Sequence, residues 1–186
     1  TCPDRVLARA REVAGTLLGP ISHLDYPARD KGGVNVSAAF RVQLDLYANI
    51  RPARTRPGVG RVRDPFDLVI VRECTEGFYP DRNMAVGSGE FMPTPDIALS
   101  VRKITAFACE RIARRAFDLA RRRRRKVTAI HKANNFILSD GLFLAKTREV
   151  ATDYPDVVLD EVIVDAMAAL LVRDASRFDV VLATNF

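Results

Sequence analysis

Cysteine is scarce in this sequence. Cys2, Cys74 and Cys109 are the only three among 186 residues, widely spaced and with no C-x-x-C pair, so neither a disulfide framework nor a zinc ligand set is suggested. Long apolar runs are missing as well. None approaches the roughly 20 residues that cross a bilayer, and no apolar segment follows a basic N-terminus in the manner of a secretory leader. These absences lead us to expect a reducing, cytoplasmic setting and no membrane partner. What the chain does have is 48% hydrophobic residues, enough at this length to bury a core in one domain or one and a half.

Positive charge exceeds negative by six, yet Arg121 to Lys126 is itself six cations in a row, so the remainder of the chain balances. The run closes a segment, Pro95 to Ala120, in which Ile97, Val101, Ile104, Phe107, Ile112, Ala116, Phe117 and Ala120 recur at helical spacing. Cations in the last turn of a helix complement its dipole. A nucleic-acid footprint would need a basic face with base-reading or stacking residues, and no aromatic side chain interleaves with this run. No nucleic-acid partner is expected.

In chain order, Pro3-Asp4 followed by Val6, Leu7, Ala10, Val13 and Leu17 reads as a short amphipathic helix, broken at Gly19-Pro20. His23 to Gly33 is polar and turn-rich, loosest at Lys31-Gly32-Gly33. Val36, Phe40, Leu44 and Tyr47 then return at helical intervals, with Asn35 at the start of the helix and Ser37 and Arg41 one turn apart on one face. Arg51 follows where the chain has turned. Two arginines beside small amides and hydroxyls can wall a carboxylate site, because guanidinium grips carboxylate through two parallel hydrogen bonds; arginines on an exposed helix are also commonly just solvated. Arg54 to Pro65 reads as a surface connection.

Several strands end on polar residues. Asp67 to Val71 is apolar on both faces, as in a parallel sheet covered by helices, and ends in Arg72-Glu73. Thr75 to Asp81 contains Gly77 and Pro80 and can turn Tyr79 back toward the same crevice; a tyrosine serves as proton donor if a cation lowers its pKa, although most tyrosines pack. Asn83 to Pro95 suits an arm or hairpin, and such arms often reach a second subunit. Val127 to Phe143 holds a β-branched run that stops at His131-Lys132-Ala133-Asn134, the strand end where open α/β sheets place ligands. Ser139-Asp140-Gly141 is expected to cap a helix with Leu142, Phe143, Thr147 and Val150 inward. Val157 to Val164 is a further strand ending at Asp165, either an N-cap or a ligand for a hard cation, and Phe178 to Ala183 is one more. Alternation of strand and helix makes the fold class α/β.

The segments NVSAAFRVQLDLYANIRP, VIVRECTEGFY, VTAIHKANNFILSDGLF, EVATDYPDV and VDAMAALLVRDASRFDVVLATNF, in that order and spacing, closely resemble the β-decarboxylating dehydrogenases, the isocitrate and isopropylmalate dehydrogenase family. The resemblance covers nearly everything from Gly19 to Phe186. It implies that the chain is about half of a family member, lacking the N-terminal strand with its glycine-rich turn and the segment that carries further metal aspartates and the nucleotide loop. The fold expected is a partial isocitrate/isopropylmalate dehydrogenase-like fold. Residues 1–52 would be a remnant of the first α/β domain with a substrate-binding helix, and 53–186 the smaller, central dimerisation domain with an arm at about 80–95.

Family roles implied by the resemblance map onto individual positions. Arg41, Arg51 and Arg72 match the arginines that bind the carboxylates of a 2-hydroxy acid. Tyr79 matches the tyrosine that protonates the enolate once carbon dioxide has left, and Lys132 the lysine that assists deprotonation of the hydroxyl. Asn134 matches an asparagine near the nicotinamide of NAD or NADP, and Asp165 the first aspartate for Mg2+ or Mn2+. Lys132 and Asp165 would complete the site of the other subunit, so a homodimer with shared active sites is implied. Asn35 and Ser37 stand where isocitrate-type members commonly carry serine then asparagine, in reversed order. Polar residues there still argue against an isopropyl tail, since a buried unpaired amide costs about 1 to 3 kcal/mol. The expected activity is oxidative decarboxylation of an isocitrate-like hydroxy acid, absent from the truncated chain alone. Isopropylmalate dehydrogenase, and a non-catalytic regulatory or binding subunit, are the alternatives.

Overall fold

The computed structural model describes residues 4–22, 25–27, 31–56, 58 and 65–185. Cys2, Pro3 at the expected first helical turn, part of the His23 to Gly33 turn, the middle of the Arg54 to Pro65 connection and Phe186 lie outside these. Two compact units are present, Thr1–Tyr47 and Ala48–Phe186.

The first unit carries helix α1, Asp4–Glu12, with Asp4 where the dipole favours an anion. Of the expected apolar stripe only Leu7 is buried, and Leu17 lies beyond the helix and is fully exposed; nine residues are too few to carry the whole stripe. Helix α2, Val36–Gln43, buries Phe40. Its periodicity does not continue through Tyr47. Leu44 is the C-cap and Asp45 has φ +48°, a left-handed conformation that ends a helix.

The second unit is built on a five-stranded sheet, in the order β1-β2-β7-β5-β6. Its strands are β1 Ala48–Arg54, β2 Asp67–Glu73, β5 Lys126–His131, β6 Val158–Ile163 and β7 Val180–Ala183. β1 is antiparallel to β2, and the other four strands are parallel to one another. β1 is a strand where a turn and loop were expected; as an edge it tolerates Pro52, whose missing N–H would break a central ladder. Helices α3, Ala106–Arg121, and α4, Ser139–Ala151, pack on each other and against the sheet, and α5, Val164–Arg173, lies along β5 and β6. Val71, Val127, Ala129, Val180 and Leu182 are completely or almost completely buried with Phe117 and Phe143. On the opposite parity, Leu68 and Val181 form a second cluster with Met167 of α5 and Phe178.

A hairpin of β3, Glu90–Thr94, and β4, Ile97–Ser100, projects with all nine residues exposed. This corrects the helix expected from Pro95. Ile97 belongs to the return strand, and Val101 and Ile104 to the connection after it. The helix start is set by capping: Thr105 Oγ1 accepts the Ala108 N–H, while the buried Glu76 carboxylate accepts both the N–H and the O–H of Thr105 at 2.9 and 2.6 Å. Ser139 and Asp140 do not cap α4 either. Leu138 occupies the cap position without a side-chain bond, and Ser139 and Asp140 point at Arg102 instead.

Three cations of the basic run, Arg121, Arg123 and Lys126, are paired with acids of the same unit. α3 ends at Arg121, so only that residue lies in the last turn, and Arg125 has φ +57°. Arg121 pairs with Asp156, Arg123 with Asp67 and the buried Asp179, and Lys126 with Asp160. The Arg123 and Arg121 guanidiniums hold the Asp67 and Asp156 carboxyls below the usual range, chiefly by hydrogen bonding, and Arg148 does the same to Glu161.

Phe117 is fully buried with its ring 5.1 Å from that of Tyr154. Phe117→Ala is expected to lower the unfolding free energy by about 3–5 kcal/mol, measured by urea unfolding. Acid should also unfold the protein. Carboxyls with depressed folded-state pKa bind protons more weakly folded than unfolded, so their stabilisation is complete above the ordinary carboxylate pKa of about 4 and fades as pH falls through the lower folded values. A melting temperature that stays flat from neutral pH down through this range would contradict the pairing.

Candidate active site

Because β2, β7, β5 and β6 are parallel, their carboxyl ends share one edge of the sheet. β2 presents Arg72 there, and Lys132 follows β5 directly. In the β5–β6 register His131 is level with Ile163, so Lys132 and the first turn of α5 are neighbours. The Lys132 ammonium forms an ion pair with the Asp165 carboxylate. That hydrogen bond is the main reason the Asp165 carboxyl lies below its usual range. Asp165 is not an N-cap: Ile163 takes that position with no side-chain bond.

Arg51 lies opposite Ile70, and Asn49 opposite Arg72. Facing pairs and alternate residues project to the same side of a sheet, so Arg51, Asn49 and Arg72 share the face on which Ile70 packs against the α5 cluster. Arg51 Nε donates to Asn49 Oδ1 at 2.8 Å. Arg72 Nε is buried without a hydrogen-bond partner among the described residues, an unsatisfied donor that a carboxylate would complete.

Tyr79 follows a turn that only glycine can make. Gly77 has φ +91°, and a Cβ there would come within 2.0 Å of the Asn185 carbonyl oxygen. The turn is fastened on three sides: Gly77 exchanges hydrogen bonds of 3.0 Å with Lys103, Asn83 Nδ2 donates to the Gly77 oxygen, and Asn185 Nδ2 donates to the Glu76 oxygen. The Arg82 guanidinium sits 4.7 Å from the Tyr79 ring centroid. Nearby Cys109 is buried and unoxidised, its thiol pushed up to about 12 first by burial and then by the Glu76 and Glu73 charges, so it is no nucleophile near neutral pH.

Asn134 is exposed, with Nδ2 on Asn135 Oδ1. Asn35, Ser37 and Arg41 belong to the first unit. Asn35 is the N-cap of α2, its Oδ1 accepting the Ala38 N–H at 3.0 Å. The structure therefore brings together Lys132 with Asp165, and Arg51 with Arg72. It also adds a buried group that sequence patterning missed, Arg102 with Asp140. Asp140 was visible only as a cap candidate, and nothing in its spacing pointed to Arg102.

No three His, Cys, Asp or Glu side chains among the described residues could hold a metal ion. Asp165 supplies one carboxylate, whereas a hard divalent cation takes six or more oxygens. These residues alone do not fit a metal. No helix among the described residues is long and apolar enough to cross a membrane.

Comparison with known proteins places the chain in a family. The family model described as isocitrate/isopropylmalate dehydrogenase matches residues 1–186. The 3-isopropylmalate dehydrogenase of Archaeoglobus fulgidus is 38% identical over 184 residues, 98% of this chain and 52% of the relative. The mitochondrial isocitrate dehydrogenase [NAD] regulatory subunit 1 of Arabidopsis thaliana is 40% identical over 156 residues, 83% of this chain and 41% of the relative. The crystal structure of isocitrate dehydrogenase from Methylococcus capsulatus superposes with a TM-score of 0.76 at 39% identity, over 99% of this chain and 52% of that one. The chain thus spans about half the length of the first of these relatives. Matched along its whole length and sharing the fold of these dehydrogenases, the chain belongs to the isocitrate/isopropylmalate dehydrogenase family.

Proposed function

We propose that this chain is part of a homodimeric, cytoplasmic dehydrogenase that oxidatively decarboxylates an isocitrate-like 2-hydroxy di- or tricarboxylate, with NAD or NADP and Mg2+ or Mn2+. The observation that carries this reading is the Lys132–Asp165 pair, set at the same edge of the sheet as Arg72.

Arg51 and Arg72 hold substrate carboxylates, and the bare, buried Nε of Arg72 supports its share in this; the same role for Arg41, Asn35 and Ser37 rests on the family resemblance alone. Lys132 assists loss of the hydroxyl proton as the alcohol is oxidised, its ammonium offsetting the negative charge that develops on that oxygen. Tyr79 gives a proton to the carbon that carbon dioxide leaves. Asn134 would lie against a nicotinamide and Asp165 would give one carboxylate to a divalent ion, the remaining ligands coming from elsewhere in the protein; when bound, these groups would supply a hydride acceptor and a positive charge beside the substrate oxygen.

Strands stand about 4.8 Å apart. One strand, β7, lies between β2 and β5, so the backbones of Arg72 and Lys132 stand two spacings, roughly 10 Å, apart; that Lys132 and Asp165 serve the substrate held by the other copy rests on membership of the family. The same polypeptide face could serve a regulatory subunit that binds a hydroxy acid without turnover, a reading favoured by the name of the Arabidopsis thaliana relative. The names of other relatives favour isopropylmalate. Tyr79 and Lys132 weigh toward catalysis, and Asn35 and Ser37 toward a polar substrate tail.

Reduced nicotinamide formed by the full protein with isocitrate, isopropylmalate or tartrate plus Mn2+ is the direct measurement. We expect turnover, highest with the isocitrate-type acid, and none from the 186-residue chain by itself; no reduced cofactor with any acid would instead support the binding subunit. Tyr79→Phe should slow decarboxylation and protonation by about 100-fold or more while sparing hydride transfer. Turnover equal to the parent would remove Tyr79 from the chemistry.

A further inference from the structure

One buried charged pair has no part in the chemistry just described. The side chains of Arg102 and Asp140 are 9% and 4% exposed. Asp140 Oδ1 accepts from Arg102 Nη1, and Asp140 Oδ2 accepts the backbone N–H of Lys132, each at 2.5 Å. A buried ion pair is often no better for stability than apolar packing of the same volume, because both ions must be desolvated. Stability alone does not explain why this one is here.

The destinations of its hydrogen bonds do. Lys132 leaves β5 and enters a tight turn: its carbonyl accepts from the N–H groups of Asn135 and Phe136 at 3.0 and 2.8 Å, and the Asp140 N–H returns to the Phe136 oxygen. The peptide N–H of Lys132 hangs on the single carboxylate of Asp140. That carboxylate is aimed by Arg102, which also donates through Nη2 to Thr184 Oγ1 at 2.9 Å and lies over the rings of Phe136 and Phe78 at 5.5 and 5.9 Å. Thr184 follows β7, the strand between β2 and β5, and Phe78 immediately precedes Tyr79. One guanidinium thus sits among the immediate neighbours of both proton-transfer candidates.

We propose that Asp140, oriented by Arg102, is a positioning residue that sets the Lys132 backbone and so aims its ammonium at the substrate hydroxyl. This rests on the reading that Lys132 assists loss of the substrate hydroxyl proton during turnover. Asp140 meets two donors with two acceptor oxygens, one for the guanidinium and one for the peptide. Asparagine keeps the volume but has a single acceptor oxygen, so one of the two donors is left facing an NH2 group.

Asp140→Asn in the full protein is the test. A misplacement of about 1 Å costs on the order of 100-fold in rate, so kcat measured well below the melting temperature should fall by about that factor with the KM values for hydroxy acid and nicotinamide little changed, while the melting temperature also drops because the buried Arg102 loses its counter-ion. Arg102→Gln should reproduce this split between kcat and KM. Parental kcat, or a weakening of both KM values as large as the loss of kcat, would overturn the proposal. If the parent protein turns over no hydroxy acid, the functional reading fails, and the positioning role is decided by hydrogen exchange: the Lys132 amide should exchange faster in Asp140→Asn while α3 stays protected, and unchanged exchange at Lys132 overturns it.

Discussion

The candidate site at the sheet edge follows from the parallel pairing of β2, β7, β5 and β6. Parallel strands deliver their last residues to one edge, so Arg72, Thr184, Lys132 and the entry to α5 arrive side by side although Arg72 and Thr184 are 112 positions apart in sequence. Reverse one of these strands and its polar terminus would go to the opposite edge. The hydrophobic pattern protects this arrangement. Val127, Ala129, Val180 and Leu182 are fully buried on the α3 and α4 side, and a slip of one residue would exchange them with the face carrying Thr128 and Val181.

The α5 side is less completely covered. Ile70, Ile130 and Val162 are only partly buried there, and this is the face that Arg51 and Arg72 share. A sheet whose two sides differ so much in coverage leaves room for polar groups on the thinner side without opening the core. Charge is handled in the same economical way. Of the six consecutive cations that begin at the end of α3, Arg121, Arg123 and Lys126 pair with Asp156, with Asp67 and Asp179, and with Asp160.

Sequence patterning recovered β2, β5 and β7 because each is a compact apolar run ending on a polar residue, β6 from its place in the strand and helix alternation although Asp160 and Glu161 interrupt it, and α2 because Phe40 recurs with its neighbours at helical spacing. It went astray where tertiary bonding overrides pattern. Ile97, Val101 and Ile104 are spaced as in a helix, yet Glu76, brought in from the turn after β2, caps the chain at Thr105 and starts α3 there. β1 was unreadable because its sides alternate poorly and Pro52 argues against a strand; it exists by pairing with β2 at an edge. Within the candidate site, Lys132 and Asp165 could be singled out from their strand ends. The bond from Asp140 to the Lys132 peptide could not, since its meaning depends on Arg102, thirty-eight residues earlier in the chain.

The glycine turn ahead of Tyr79 carries one more consequence, for the order of folding. Its shape is completed by Asn185, which donates to the Glu76 oxygen across 109 residues of sequence and whose own carbonyl leaves space for nothing larger than hydrogen at position 77. Contacts so distant along the chain form only after the loop between them has closed. The tyrosine turn therefore takes its final geometry late, once β7 has docked beside β2, and a nascent chain that has not yet emitted β7 holds the segment without its clasp.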